Sequence, residues 1–319
     1  MIRLAEGPEF DLIRRILQQT RHTNELVRVG PGDDCAVIGQ LALSVDASVE
    51  NVHFRRDWLD PEEIGWRATS SALSDLAAVA AEPIAVLISL ALPERDAGRF
   101  AEDVSRGAIA AAEAVGASLA GGDVVKSELL MIDVVALGTT DSPALRSHAM
   151  IGDEVWVTGA LGGAAAAVAA LSSGTALNEA ARERYARPQP RTREALWLRE
   201  HGALHALIDL SDGLYGDLHH IAAASNSAIL VEQERVPIHR EAGASYTLAV
   251  SGGEDYELAF TAPPGSLRSL EREFKEQFSL PLTRIGEVIV GSGVRVRMLD
   301  GTMQEVRAQG YQHFGDSTI

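Results

Sequence analysis

Aspartates recur in this chain inside, or at the ends of, segments that otherwise read as apolar core. Asp33 and Asp34 sit in the turn that follows Gly30-Pro31-Gly32, and Asp46 follows the run Leu41-Ala42-Leu43-Ser44-Val45. Asp75 lies in the stretch ATSSALSDLAAVAA, Asp123 follows Gly121-Gly122, and Asp209 and Asp212 stand in LIDLSDGL. A carboxylate taken out of water without a partner costs on the order of several kcal/mol. A fold that holds these segments must therefore put the carboxylates on exposed stripes or bring cations to them. Hard Mg²⁺ takes several carboxylate oxygens, with water and substrate phosphates completing its shell. Scattered aspartates gathered by the fold suit two or more such ions.

Each position also has a local reading. Asp33 and Asp34 favour a turn by themselves. Asp46 and Asp123 read as strand-end residues bonding backbone groups, and Asp209 and Asp212 as caps of a helix beginning near Gly213. Asp75 is harder to explain locally, because Leu73, Leu76 and Ala77 surround it about four turns into a helix. The pairs Gly121-Gly122 and Gly252-Gly253 permit close backbone approach to a ligand, although such turns are common. Cys35 reads as a small buried residue and His53 as a loop residue.

The chain has 319 residues with 46% hydrophobic and 23% charged content, the composition of a globular protein with room for two domains. Its net charge of -17 argues against a broad surface for nucleic acid or anionic membrane. Lysines are confined to Lys126 and Lys275, so the charge on a nucleotide would fall to Mg²⁺ and a few arginines. Apolar runs such as Ile84 to Leu92 are shorter than the roughly 20 residues a spanning helix needs. A single cysteine excludes a disulfide within the chain and fits a reducing, cytoplasmic setting. The amphipathic, charged N-terminus does not read as a secretory signal.

Periodicity predicts helices over Pro8 to Gln19, from Asp60 to about Ala81, and over Asp96 to Val115, Gly163 to Leu171, Thr192 to His201 and Gly213 to Ala224. The second start is the clearest: Asp60 as N-cap, Pro61 at the first helical position and Glu63 as capping-box partner. Strands are expected at Cys35 to Ile38, Leu41 to Val45, Ile84 to Leu92, Leu129 to Gly138, Glu154 to Thr158, Ala206 to Leu210, Ala228 to Glu232, Tyr256 to Thr261, Ile285 to Ile289 and Val294 to Leu299. Leu119 leads into a turn at Gly121-Gly122-Asp123, and Ser251 to Asp255 form another. Helices and strands mix without the regular alternation of a doubly wound sheet. The fold class expected is α+β in two domains, 1–146 and 147–319.

No P-loop pattern occurs, no kinase-type H-R-D or D-F-G, and no Cys/His set with zinc spacing. The blocks Gly32-Asp33-Asp34-Cys35-Ala36, Ser44-Val45-Asp46, Asn51-Val52-His53-Phe54, Leu73-Ser74-Asp75-Leu76-Ala77, Gly121-Gly122-Asp123, Ile208 to Leu214 and Ser251 to Leu258, with the ending Gly310 to Phe314, do occur in that order. Together they resemble the thiamine-monophosphate kinases over nearly the whole chain.

The resemblance implies an ATP-binding fold of two α+β domains shared with aminoimidazole ribonucleotide synthetase and selenophosphate synthetase, with N-terminal domains paired in a homodimer. Apolar strands at Leu41 to Val45, Ile84 to Leu92 and Leu129 to Leu137 would otherwise leave sheet edges. It implies ATP-dependent conversion of thiamine monophosphate to thiamine diphosphate. Matched position by position, it makes Asp33, Ser44, Val45 (through its carbonyl), Asp46, Asp75, Asp123, Asp209 and Asp212 the magnesium set. Gly121, Gly122, Arg146 and Ser211 become ATP contacts, and His53, Glu254 and Tyr311 substrate contacts. Transfer would be direct and in line, with no covalent intermediate on the protein. The nearest alternative is aminoimidazole ribonucleotide synthetase. Selenophosphate synthetase fits less well, because the chain has no lysine before Lys126 and its one cysteine lies in the turn.

Overall fold

The computed structural model describes residues 7–19, 24–202 and 204–307. Tyr311 and the ending Gly310 to Phe314 lie outside the described residues. The first half holds helix α1 (Pro8–Leu17), strands β1 (Val27–Val29), β2 (Ala36–Ile38) and β3 (Leu41–Val49), helix α2 (Pro61–Ala78), strand β4 (Glu82–Leu92), helix α3 (Arg99–Ala114) and strands β5 (Ser118–Lys126) and β6 (Met131–Thr139). The second half continues with β7 (Glu154–Thr158), α4 (Gly163–Ser173), α5 (Glu179–Ala186), α6 (Thr192–Glu200), β8 (Leu207–Asp209), α7 (Leu214–Ser225), β9 (Ala228–Glu232), α8 (Tyr246–Ser251), β10 (Leu258–Ala262), α9 (Glu271–Phe278), β11 (Leu282–Ile289), β12 (Gly293–Arg297) and β13 (Met303–Val306).

The strands form two sheets, one of six strands in the order β1-β2-β3-β6-β4-β5 and one of seven in the order β13-β12-β9-β11-β7-β10-β8. Each sheet is mixed. The β4–β5 pair is parallel in the first and the β9–β12 pair in the second, while the remaining pairs are antiparallel. The expected α+β class holds.

Helix α2 positions the site. Its start follows from the local sequence: Pro61 is the first helical residue, and the Glu63 carboxylate accepts a 2.9 Å hydrogen bond from the Asp60 amide. Arg182 of α5 forks onto the same carboxylate at 2.5 and 2.6 Å. Nearly all of α2 is buried, because it packs on α3, β3, β4 and β6 and also on α5, α6 and β8. The crossing with α3 is close because both helices put glycine at the contact. A Cβ on Gly65 would fall 1.8 Å from the Val104 carbonyl oxygen, and one on Gly107 equally close to that of Glu62. Ala164, Ala167, Ala181 and Tyr185, from α4 and α5, share a core with the first sheet. Two further cores flank the second sheet.

Several elements differ from the sequence reading. Helix α2 stops at Ala78 rather than Ala81, and Ala80 takes a left-handed conformation with φ 50°. Strand β3 runs on to Val49, so Asp46 is mid-strand rather than terminal. Gly121-Gly122-Asp123 is not a turn but the middle of β5, paired with Leu87, Ile88 and Ser89 of β4. A Cβ on Gly122 would lie 1.9 Å from the Ile88 carbonyl oxygen, so glycine serves strand approach there. Strands β1 and β13 and helices α5, α8 and α9 were not expected. They are short, eight residues at most, so each offers too few repeats for its pattern to decide.

Candidate active site

Residues three and four apart on a helix share a face. On α2 that rule aligns Arg67, Ser71, Ser74 and Asp75, and these side chains bond three other segments. Ser74 Oγ donates to Asp209 Oδ2 at 2.6 Å. Ser71 Oγ donates to Asp46 Oδ2, and Asp75 Oδ2 accepts from Ser44 Oγ. Arg67 pairs with Glu254. Ser44 and Asp46 lie two apart on β3, so the alternation of a strand turns both toward α2. One polar stripe on a buried helix thus joins the first sheet to loops of the second half.

At one end of the stripe, a carboxylate oxygen from each of Asp34, Asp75 and Asp209 lies within 4.8 Å of the other two. Arg146 faces them. Its Nε donates to Asp34 Oδ2 at 2.8 Å, Nη2 bonds Oδ1, and its backbone amide reaches Asp33 Oδ2 at 3.2 Å. Burial alone would lower the Arg146 pKa, but Asp34, Asp33 and Asp209 together raise it. Burial, with Asp34 adding repulsion, lifts Asp33 and Asp209 each to about 7. Asp75 is pushed well above the usual carboxylate range by burial and by Asp209, Asp34 and Asp46. Asp212 rises to about 6, through burial and then Glu9. One arginine does not neutralise so many acids. An all-oxygen set that holds protons this tightly is chemically suited to a hard divalent cation such as Mg²⁺. Cys35, buried beside the cluster, donates to the Asp75 carbonyl oxygen at 3.2 Å. Burial and the neighbouring acids raise its pKa, which leaves it a poor nucleophile.

At the other end, loop 252–257 lies on the loop after β8. The Glu254 amide donates to the Ser211 carbonyl oxygen at 2.8 Å and the Tyr256 amide to that of Leu210 at 2.9 Å. Tyr185 of α5 donates from its hydroxyl to the His53 carbonyl oxygen at 3.3 Å, and its ring lies under Arg67. His53 and Glu254, far apart in sequence, are therefore joined through Tyr185 and Arg67.

Residues 32–140 match the family described as AIR synthase related protein, N-terminal domain, and residues 150–298 its C-terminal domain. The thiamine-monophosphate kinase of Haemophilus influenzae is 34% identical over 97% of this chain and 98% of its own length. The chain belongs to the thiamine-monophosphate kinase family. It is accordingly an enzyme of the phosphotransferase class. Among solved structures, AaThiL complexed with AMPPCP and TMP has a TM-score of 0.80 and 32% identity, with 96% of each chain covered. The thiamine-monophosphate kinase of Stenotrophomonas maltophilia K279a has a TM-score of 0.75 and 35% identity, covering 93% of this chain and 97% of its own.

Within this family member the expected site residues that are described fall into four groups. Asp33, Ser44, Asp46, Asp75, Asp209, Asp212, Arg146 and Ser211 converge around α2, and His53 and Glu254 meet across Tyr185. Val45 takes part in β3 pairing, and its side chain is 66% exposed on the opposite face from Ser44 and Asp46. Gly121, Gly122 and Asp123 do not join the others within one chain. Three strand steps separate β5 from β3, about 14 Å at normal spacing. Asp123 is exposed, and its Oδ1 accepts from the Val124 amide. Sequence reading missed Asp34 as the member of its pair that faces the cluster, and it missed Arg67, Ser71, Ser74, Tyr185 and Tyr256. The signal for two of these, Ser71 and Ser74, was present: small polar residues three apart in an otherwise apolar helix.

Proposed function

We propose that the protein transfers the γ-phosphate of ATP to thiamine monophosphate, giving thiamine diphosphate, by direct in-line displacement. The observation that carries this reading is the α2 stripe, which sets a carboxylate cluster at one end and the Arg67–Glu254 pair, beside His53, at the other. A site with cation ligands at one end and a hydrogen-bonding carboxylate, Glu254, at the other suits an acceptor that is part phosphate and part heterocycle. Family membership and the ligands named for AaThiL support the choice of nucleotide and acceptor.

Asp34, Asp75 and Asp209 would hold magnesium, with Asp33, Ser44, the Val45 carbonyl, Asp46, Asp123 and Asp212 as further ligands carried by the resemblance. When bound, such ions neutralise phosphate charge and polarise the transferring group. Arg146 sets positive charge against the same phosphates. Gly121, Gly122 and Ser211 are read as ATP contacts, and His53, Glu254 and Tyr311 as contacts to thiamine monophosphate. The attacking phosphate oxygen is already anionic, so the chain needs no strong base. We take the working halves as 1–146 and 147–319, the first binding ATP and metal and the second completing the site. No described helix is long and apolar enough to cross a membrane. We read the location as cytoplasmic from the single, buried Cys35.

Incubating the protein with ATP, Mg²⁺ and one acceptor at a time, and identifying products by mass, tests the reading. Thiamine monophosphate should yield thiamine diphosphate, and free thiamine should not react, because it lacks the phosphate group that would be both anchor and nucleophile. Conversion of free thiamine, or ADP release only with an aminoimidazole precursor, would refute the assignment and favour the synthetase alternative.

We also propose a homodimer through the first sheet. The face of that sheet turned away from α2 leaves Leu41, Val45, Ile84, Leu87 and Met131 between 37% and 66% exposed. An apolar face of this extent is covered in a stable protein. Light scattering should give about twice the 34.0 kDa chain mass at micromolar concentration. A monomer would count against it.

A further inference from the structure

We propose that Arg67 is a positioning residue that presents Oε1 of Glu254 to an amino group on the heterocycle of the acceptor. The proposal rests on the phosphotransfer reading above and deepens it. Arg67 is 4% exposed and is fixed at three points. Nη1 donates to the Tyr185 carbonyl oxygen at 2.7 Å, Nη2 pairs with Glu254 Oε2, and the guanidinium carbon lies 4.2 Å from the Tyr185 ring centroid. A planar fork held this way has no freedom to rotate.

Glu254 is constrained as firmly. Its backbone is left-handed at φ 74°, and its amide is bound to Ser211 O. Its Oε2 accepts from Arg67 and also from Tyr256 Oη at 3.0 Å. Two donors occupy the acceptor sites of that oxygen. Oε1 makes no hydrogen bond or ion pair among the described residues, and the side chain keeps 28% exposure. Oε1 is the acceptor left for a ligand, and Arg67 with Tyr256 decides which oxygen that is. A ligand for it must donate. An amino group on a heteroaromatic ring does so, and thiamine monophosphate carries one on its pyrimidine. The Tyr185 that supports Arg67 also bonds His53 O, so two of the three predicted substrate contacts, His53 and Glu254, are set by one network.

Steady-state kinetics on Arg67→Met, Arg67→Lys, Glu254→Gln, Tyr256→Phe and the double variant Arg67→Met/Glu254→Gln test this. Arg67→Met should raise KM for thiamine monophosphate roughly 10- to 100-fold, the range for losing a charge-assisted hydrogen bond, and leave KM for ATP within about twofold. Arg67→Lys should recover part of the loss. In the Glu254→Gln background, Arg67→Met should add less than about twofold, because both changes remove the same contact. An equal rise in that background, or a parallel rise in KM for ATP, would show a merely structural role and overturn the proposal. If Arg67→Met fails to fold, Arg67→Lys and Tyr256→Phe decide, and unchanged KM for thiamine monophosphate in both overturns it. A wild-type protein that turns over ATP with a different acceptor would instead sink the functional reading, and the proposal with it.

Discussion

Replacing Asp75 by asparagine is expected to lower turnover at least about 100-fold and to raise the melting temperature of the ligand-free protein at neutral pH. Loss of groups one step removed from a metal costs roughly 10- to 100-fold in affinity or activity, so loss of a carboxylate ligand sets that as a floor. Asparagine keeps the shape and still accepts from Ser44, so the fold is not disturbed. The stability change follows from linkage. In the folded chain, burial and then Asp209, Asp34 and Asp46 raise the Asp75 pKa well above its ordinary 3.8. Below pH 3.8 the group is protonated in both states and costs nothing. As pH rises above 3.8 the unfolded chain ionises while the buried group resists, so the cost of ionising Asp75 grows toward neutral pH and beyond. The variant should therefore melt higher than wild type at neutral pH and above, with the gap closing as pH falls toward 3.8. Mg²⁺ with ATP should stabilise wild type more than the variant. Melting scans across pH, run beside an ADP-release assay, check both halves. Activity within tenfold of wild type would remove Asp75 from the metal set.

Replacing Glu257 by glutamine is expected to destabilise the protein by about 3–5 kcal/mol, the usual cost of leaving buried charges without their partner. Glu257 is fully buried, with 0% exposure. It accepts from Arg184 at 2.7 Å, from Arg191 at 2.9 and 2.6 Å and from Thr158 at 2.7 Å. Burial would raise its pKa, but Arg191 and Arg184 outweigh it and hold the group at about 2, below its ordinary 4.5. A depressed carboxylate contributes stability that is present above pH 4.5 and is lost as pH falls through about 2. The difference between wild type and variant should accordingly shrink across that window. Denaturant melts at pH 7 and pH 3 measure it, and a constant difference would argue that packing, not charge, is what the substitution disturbs. The effect should reach activity too. Arg184 belongs to α5, and α5 carries Tyr185, on which Arg67 and the His53 loop depend.

Local physics made much of this protein legible. The Asp60-Pro61-Glu63 start of α2 could be read residue by residue, because a helix N-terminus is a contact between near neighbours in sequence. The strands of the second sheet other than β13 were found from apolar runs, and the irregular mixing of elements was enough to predict α+β. Asp75 stood out because no local interaction explains a carboxylate at that position. The resemblance added the family and most of the converging aspartates.

Only tertiary structure decided which side of each element faces the site. Asp33 and Asp34 are adjacent in one turn, and nothing in their own sequence tells which points at Asp75 and Asp209. Ser71, Ser74 and Arg67 acquire a role only because α2 is wedged between two sheets, so that their partners lie across the gap. Gly121-Gly122-Asp123 has the composition of a turn, yet pairing with β4 makes it a strand and leaves Asp123 three strands from the cluster. The sequence by itself determined the longer local elements, the acidic inventory and the family. The geometry of the site came from contacts between residues far apart in the chain, whose energies depend on burial and distance and leave no mark on local pattern.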